Sequence, residues 1–150
     1  MLEQGQKAPD FTIQTDTGST VGLSDFAGKK IVLYFYPKDN TPGCTKEACS
    51  LRDNFADITG NNTVIIGISP DKPESHVKFK KKYNLPFILG SDPDHTVLKA
   101  YDAWGEKSLY GKLSLGVKRS TFIIDEDGKI IKIFKKVKTE IHGEEVQKYL

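Results

Sequence analysis

The apolar positions of this chain change period in a way that outlines its elements. Residues 31–36, Ile-Val-Leu-Tyr-Phe-Tyr, form an unbroken apolar run, which predicts a strand buried on both faces. From residue 42 to about 59 the period becomes helical. Cys44, Ala48, Leu51, Phe55 and Ile58 follow at steps of four, three, four and three, one apolar stripe ended by Gly60 and Asn61. Residues 63–69 predict a second buried strand. Pro73 opens a lysine-rich helix to Tyr83, residues 87–89 a short strand, and residues 94–101 a further helix. Residues 11–21 read as an N-terminal hairpin turning at 15–18. Residues 119–124 and 129–137 are strands joined by Asp125-Glu126-Asp127-Gly128, and residues 143–150 close the chain as a short helix. No repeat, low-complexity stretch or linker interrupts the series. The pattern predicts one domain over residues 1–150, an α/β fold with a central sheet flanked by helices, mixed because of the C-terminal hairpin.

Charge adds little. The net charge of +2 implies no partner, and the lysines at 78–82 and 132–138 read as solvated faces. A nucleic-acid surface would need a stronger basic stripe with interleaved aromatics, so none is expected. No apolar run approaches the roughly 18 residues of a membrane span, and the first ten residues lack the apolar core of a signal peptide. A cytoplasmic location is expected. The chain has two cysteines, Cys44 and Cys49, too few for a disulfide scaffold; such a pair points to catalysis or metal binding.

Cys44 follows Thr41-Pro42-Gly43. Thr41 suits an N-cap and Pro42 the first helical position, which puts Cys44 in the first turn. Unpaired backbone N–H groups and the positive end of the helix dipole favour a thiolate there, and a thiolate is nucleophilic. The residue also sits at the C-terminal end of a strand, where open α/β sheets place their sites. The alternative is a small core hydrophobe, since Cys44 lies on the stripe. Cys49 lies about 140° round the helix from Cys44, off the stripe. Their Cα atoms would be roughly 8–9 Å apart in an intact helix, and a disulfide needs less than about 7 Å. Pairing therefore requires the first turns to unwind.

Zinc fits poorly. His76, His95 and His142 show no ligand spacing and read as surface residues, so no metal is expected. Arg119 on its own reads as a surface residue at a strand start, Pro37 as a strand terminator, Thr41 as a cap, and Trp104 and Tyr110 as core or loop anchors.

Pro37, Thr41 and Cys44 match the signature Pro-x-x-x-Thr/Ser-x-x-Cys, and the chain resembles the peroxiredoxins. The run from Tyr36 to Cys49, with its second cysteine five residues after the first, is similar to the bacterioferritin comigratory protein or peroxiredoxin Q subfamily. So are the start from Gly5 to Phe11, the Trp104–Lys107 stretch and Arg119-Ser120-Thr121-Phe122. The resemblance implies a thioredoxin-like fold, Cys44 as the peroxide-reactive thiol, Cys49 as the resolving one and Arg119 as the active-site arginine. It implies a monomer that reduces hydrogen peroxide or organic hydroperoxides, forms an intrachain disulfide and is recycled by thioredoxin or a similar dithiol. No metal or organic cofactor is implied.

Ionisation alone is too weak to explain such a reaction. A cysteine with the ordinary pKa of about 8.5 is about 3% thiolate at pH 7, so full ionisation gains at most about 30-fold. Part of that is returned, because nucleophilicity falls with pKa. Preorganised donors on the leaving oxygen must supply the rest. Arg119, the Thr41 hydroxyl and the backbone N–H groups of Gly43 and Cys44 are the candidates, with Pro37 and Gly43 shaping the pocket. Two rivals are a disulfide oxidoreductase without peroxidase activity and a non-enzymatic holdase or binding module. Hydroperoxide dependence of thiol turnover separates them.

Overall fold

A computed structural model describes residues 2–150 of the chain. In order, the elements are β1 (Thr12–Thr15), β2 (Thr20–Gly22), β3 (Lys30–Phe35), α1 (Pro42–Asp53), α2 (Phe55–Thr59), β4 (Thr63–Ser69), α3 (Pro73–Tyr83), β5 (Ile88–Ser91), α4 (Thr96–Ala100), β6 (Trp104–Leu109), β7 (Lys112–Val117), β8 (Ser120–Ile124), β9 (Ile130–Phe134) and α5 (His142–Gln147). Seven strands form one sheet in the order β2-β1-β5-β4-β3-β8-β9. Strands β3, β4 and β5 are parallel, while β1 runs antiparallel to β5 and β8 antiparallel to β3. The sheet is mixed, as the sequence predicts.

Central β3 explains its own apolar run. Ile31, Leu33 and Phe35 enter a core with Phe11, Ile66, Leu98 and Phe122. Val32, Tyr34 and Tyr36 enter the other core, with Cys44, Leu51, Phe79 and Ile123. Alternate residues of one strand thus feed both faces. Helices α1, α2, α3 and α5 cover the second face, and α4 with the N-terminal segment covers the first. Gly67 on β4 has no side chain for a reason. A Cβ there would stand 2.7 Å from the Tyr34 ring.

The predicted helix over 42–59 is two helices, broken at Asn54. Asn54 Nδ2 donates back to the Ser50 carbonyl at 2.8 Å, the local competition that ends helices. The N-terminus of α5 docks at the same point, its Gly143 N–H donating to Ser50 Oγ at 2.8 Å. A Cβ on Gly143 would collide with the Ser50 carbonyl. The apolar stripe runs through the break, so periodicity does not reveal it.

The hairpin β6–β7 is absent from the sequence-based expectation, because its residues do not alternate cleanly. It turns at Tyr110 and Gly111, both at positive φ (53° and 78°), the backbone of a tight hairpin turn. It pairs only with itself among the described residues. Trp104 is half-buried and stacks on His95, ring centroids 3.7 Å apart, so it does anchor the segment. Tyr110 is 95% exposed and anchors nothing. Lys78, Lys81 and Lys82 are exposed as expected, and Lys80 reaches the Asp16 carboxylate at 2.6 Å. Among the described residues no helix is long and apolar enough to cross a membrane.

Candidate active site

The chain leaves β3 through Tyr36, passes along residues 37–41 and enters α1. Thr41 occupies the N-cap with extended backbone (φ −98°, ψ 157°), and Pro42 is the first helical residue. The cap differs in detail from expectation. The Thr41 hydroxyl donates to the Lys38 carbonyl at 2.9 Å and makes no capping bond. It closes the loop on itself and leaves the first-turn N–H groups uncapped by a side chain. The helical ladder begins with Thr45 N–H on the Thr41 carbonyl at 2.8 Å. Pro37 stands half-buried where the loop begins.

Cys44 is 1% exposed, and its sulfur receives Arg119 Nη2 at 3.3 Å. The residues are brought together because β8 lies beside β3 and opens at the same end of the sheet. Arg119 Nη1 donates to Glu47 Oε1 at 2.7 Å, so one guanidinium bridges thiol and carboxylate. Gly43 makes the approach possible. A Cβ at this position would stand 3.2 Å from Nη2, closer than such contacts normally come. Burial works against the Arg119 charge, but Glu47 and Cys44 outweigh it and raise its pKa. The arginine remains a cation.

Glu47 is a site residue that the sequence patterns do not single out. It is fully buried, one turn after Cys44 on the same face. The signal is an acid at i+3 inside the apolar stripe, which a search for apolar positions passes over. Burial pushes its carboxyl up to about 7, although Arg119 pulls the other way. Attraction to one cation does not repay complete desolvation. Oε2 has no hydrogen-bond partner among the described residues, and His142 Nε2 is 3.8 Å away.

Two of the histidines are not on the surface. His142 is fully buried, donates Nδ1 to Glu145 Oε1 at 3.0 Å and faces the Thr121 hydroxyl with Nε2 at 2.7 Å. Burial lowers its pKa against the pull of Glu145. His76 is fully buried beside Asp39. Each sits in a lysine-rich or polar segment, and only the closing of the fold around it sets its burial. Asp39, Asp71 and His76 gather within 4.8 Å of one another. Hydrogen bonds occupy both His76 ring nitrogens and both Asp39 oxygens, so these residues satisfy each other without an ion. Cys49 is half-buried on α1, and both thiols are free.

A buried thiol in the first turn of a helix, backed by a mixed sheet and hydrogen-bonded by an arginine, is the arrangement expected of the class of thiol-dependent peroxidases. Comparison with known proteins gives the family. Residues 4–133 match the AhpC/TSA family, and the chain belongs to it. Its relatives include peroxiredoxin Bcp of Bacillus subtilis, 53% identical over 94% of this chain and 90% of that protein. Peroxiredoxin Bcp of Escherichia coli is 44% identical over 99% and 96%. Among solved structures, a cysteine-to-serine mutant of Xylella fastidiosa PrxQ superposes with a TM-score of 0.91 at 32% identity, covering 99% of this chain and 95% of that one. A cysteine-to-serine mutant of Xanthomonas campestris peroxiredoxin Q gives 0.88 at 35%, covering 93% and 88%. The fold is thioredoxin-like, as the resemblance implied, and the Bcp/Q subfamily assignment holds.

Proposed function

We propose that Cys44 is the thiol that attacks the hydroperoxide and Cys49 the one that resolves the product. The observation that carries this reading is Arg119 Nη2 on the Cys44 sulfur at 3.3 Å. The thiolate attacks the distal oxygen of ROOH; an S–O bond forms and the O–O bond breaks. Sulfur is oxidised to the sulfenic acid, and the departing RO⁻ takes a proton to become the alcohol, or water when R is hydrogen. Arg119 and the first-turn N–H groups of Gly43 and Cys44 stabilise charge on the departing oxygen. Pro37 and Thr41 hold the loop that lines this space. The Cys49 thiol then attacks the sulfenic sulfur, forming the disulfide and releasing water. A dithiol such as thioredoxin reduces it by exchange.

A crystallographic study of Xanthomonas campestris bacterioferritin comigratory protein concerns its alkyl peroxide reduction activity, with trapped intermediate and ligand complexes. This supports organic hydroperoxides as substrates here. The reading treats residues 1–150 as one catalytic domain, active as a monomer in the cytoplasm, with no metal or organic cofactor in the reaction.

The test is hydroperoxide-dependent NADPH oxidation coupled through thioredoxin reductase and thioredoxin. Wild type turns over, and Cys44→Ser does not. Appreciable peroxide consumption by Cys44→Ser would remove Cys44 from its role. Thiol turnover that ignores hydroperoxide would favour a disulfide oxidoreductase.

A further inference from the structure

Behind the active-site loop lies a buried polar cluster that the peroxide chemistry does not use. Asp39 sits midway between Pro37 and Thr41, with a side chain only 3% exposed. Its Oδ1 accepts the Tyr36 hydroxyl at 2.6 Å. Its Oδ2 accepts the Ser75 hydroxyl and His76 Nδ1, each at 2.7 Å. Its backbone N–H donates to Asp71 Oδ2 at 2.7 Å, and Asp71 is itself held by the Ser69 hydroxyl at 2.7 Å. The next residue, Asn40, has positive φ (58°), and its side-chain oxygen accepts the Tyr83 hydroxyl at 2.9 Å. Ser75, His76 and Tyr83 all belong to α3. The side chains of Asp39 and Asn40 therefore tie the loop to α3, while its link to α1 is the backbone bond from Thr45 N–H to the Thr41 carbonyl.

The protons of the cluster can be placed. His76 Nε2 lies 2.9 Å from the Gly90 carbonyl, which can only accept, so Nε2 carries a hydrogen. Nδ1 faces a carboxylate that already accepts two hydroxyls. Two hydroxyl donors favour the carboxylate form of Asp39, and a carboxylate 2.7 Å from Nδ1 is an acceptor for a second ring hydrogen. The groups facing the ring are Tyr36 at the end of β3, Asp39 in the loop, Asp71 after β4 and the Gly90 carbonyl of β5. A fully buried anion needs a cation beside it, and His76 supplies it.

We propose that Asp39 and His76 form a charged clasp that holds residues 37–41 in the shape the peroxide step requires, with His76 as a positioning residue. Its seat on α3 has a purpose. The first turns of α1 must open when Cys44 and Cys49 join, whereas neither cysteine lies on α3, which meets α1 near its far end, where Arg52 Nη1 donates to the Tyr83 carbonyl at 2.8 Å. The loop keeps its shape while α1 unwinds, and α1 refolds from a loop already in place. The proposal rests on the reading of Cys44 as the reacting thiol.

Three measurements test it. Nitrogen-15 spectra of the reduced protein at neutral pH should show a hydrogen on both His76 ring nitrogens. A single protonated nitrogen at neutral pH overturns the charged clasp. Stopped-flow oxidation of Cys44 by hydrogen peroxide should slow about 10- to 100-fold in His76→Asn, the scale of a small misplacement at a reacting centre. Alkylation of Cys44 by iodoacetamide needs no shaped pocket and should keep its wild-type rate. Wild-type peroxide kinetics, or an equal fall in both rates, overturns the positioning role. If His76→Asn does not fold, Asp39→Asn removes the charge and keeps the shape. The same two rates are then measured on it, and the same results support or overturn the clasp. Cys44→Ser distinguishes failure of the clasp from failure of the site. If it still consumes peroxide, the reading of the site fails; if it is inert and the clasp variants match wild type, only the clasp fails.

Discussion

Arg119 Nη2 lies 3.3 Å from Cys44 Sγ across 75 residues of sequence, and the same guanidinium holds Glu47 at 2.7 Å. The arginine is thereby fixed in orientation before any substrate arrives. Side-chain ordering that would slow the reaction is completed during folding, which is the meaning of preorganisation.

Removing this group should cost most of the rate. Arg119→Ala is expected to slow Cys44 oxidation by about 10²- to 10³-fold, the range for losing one preorganised donor. Arg119→Lys should recover only part, because an ammonium cannot span both Cys44 and Glu47 in a planar fork. Stopped-flow peroxide kinetics decides. Wild-type rates in both variants would reduce Arg119 to a partner for Glu47.

Gly43→Ala should separate activity from stability. The new methyl would meet Nη2 at 3.2 Å and push the guanidinium off the sulfur by a few tenths of an ångström. Peroxide oxidation should fall about tenfold. Alanine is the better helix former, so stability should hold or rise by up to about 1 kcal/mol. Denaturant unfolding and peroxide kinetics on one preparation check both. A variant that loses both together contradicts this expectation.

Glu47 should give the reduced protein a distinctive pH dependence. Its carboxyl is raised from the ordinary value of 4.5 to about 7 by burial. The folded state then holds a proton that the unfolded state has released, so stability falls as pH rises between about 4.5 and 7 and levels off above. The loss is at most about 3 kcal/mol. His142, lowered by burial, acts in the opposite sense and weakens the protein as pH falls below its ordinary value of 6.5. The difference between wild type and Glu47→Gln isolates the carboxyl. Urea unfolding from pH 5 to 8 should show wild type losing ground to the glutamine variant as pH rises. A pH-independent difference would show that Glu47 stays ionised.

Disulfide formation should open α1 from its start to beyond Cys49. Glu47 and Ser50 lie in or beside that stretch, so the Arg119 bond and the Gly143 bond to α5 must both release. Hydrogen exchange on reduced and oxidised protein should show lost amide protection from residue 45 to 51. Residues 55–58 stay protected, because α2 is a separate helix with Ile58 fully buried. Equal protection in both forms would refute the unwinding. Cys49→Ser should consume one equivalent of peroxide and then stall with thioredoxin.

The sequence alone determined much of this protein. Local rules act within a few residues, and they were enough to mark β3 as two-sided, α1 as an amphipathic helix, Thr41 and Pro42 as its start, and Cys44 in its first turn. The family pattern of Pro37, Thr41, Cys44 and Arg119 is also carried by residue identity. Tertiary structure decided the rest. The break at Asn54 is closed by a bond back to Ser50, and α5 docks at the same residue from 93 positions away in sequence, a contact no local pattern shows. The burial of His76, His142 and Glu47 depends on which elements close over them, and a polar residue in a polar segment gives no local sign of it. The proximity of Arg119 to Cys44 follows from β8 pairing beside β3. Charge and hydrogen-bond partnerships between distant residues form only when the chain has closed, and the site's chemistry lies in those partnerships.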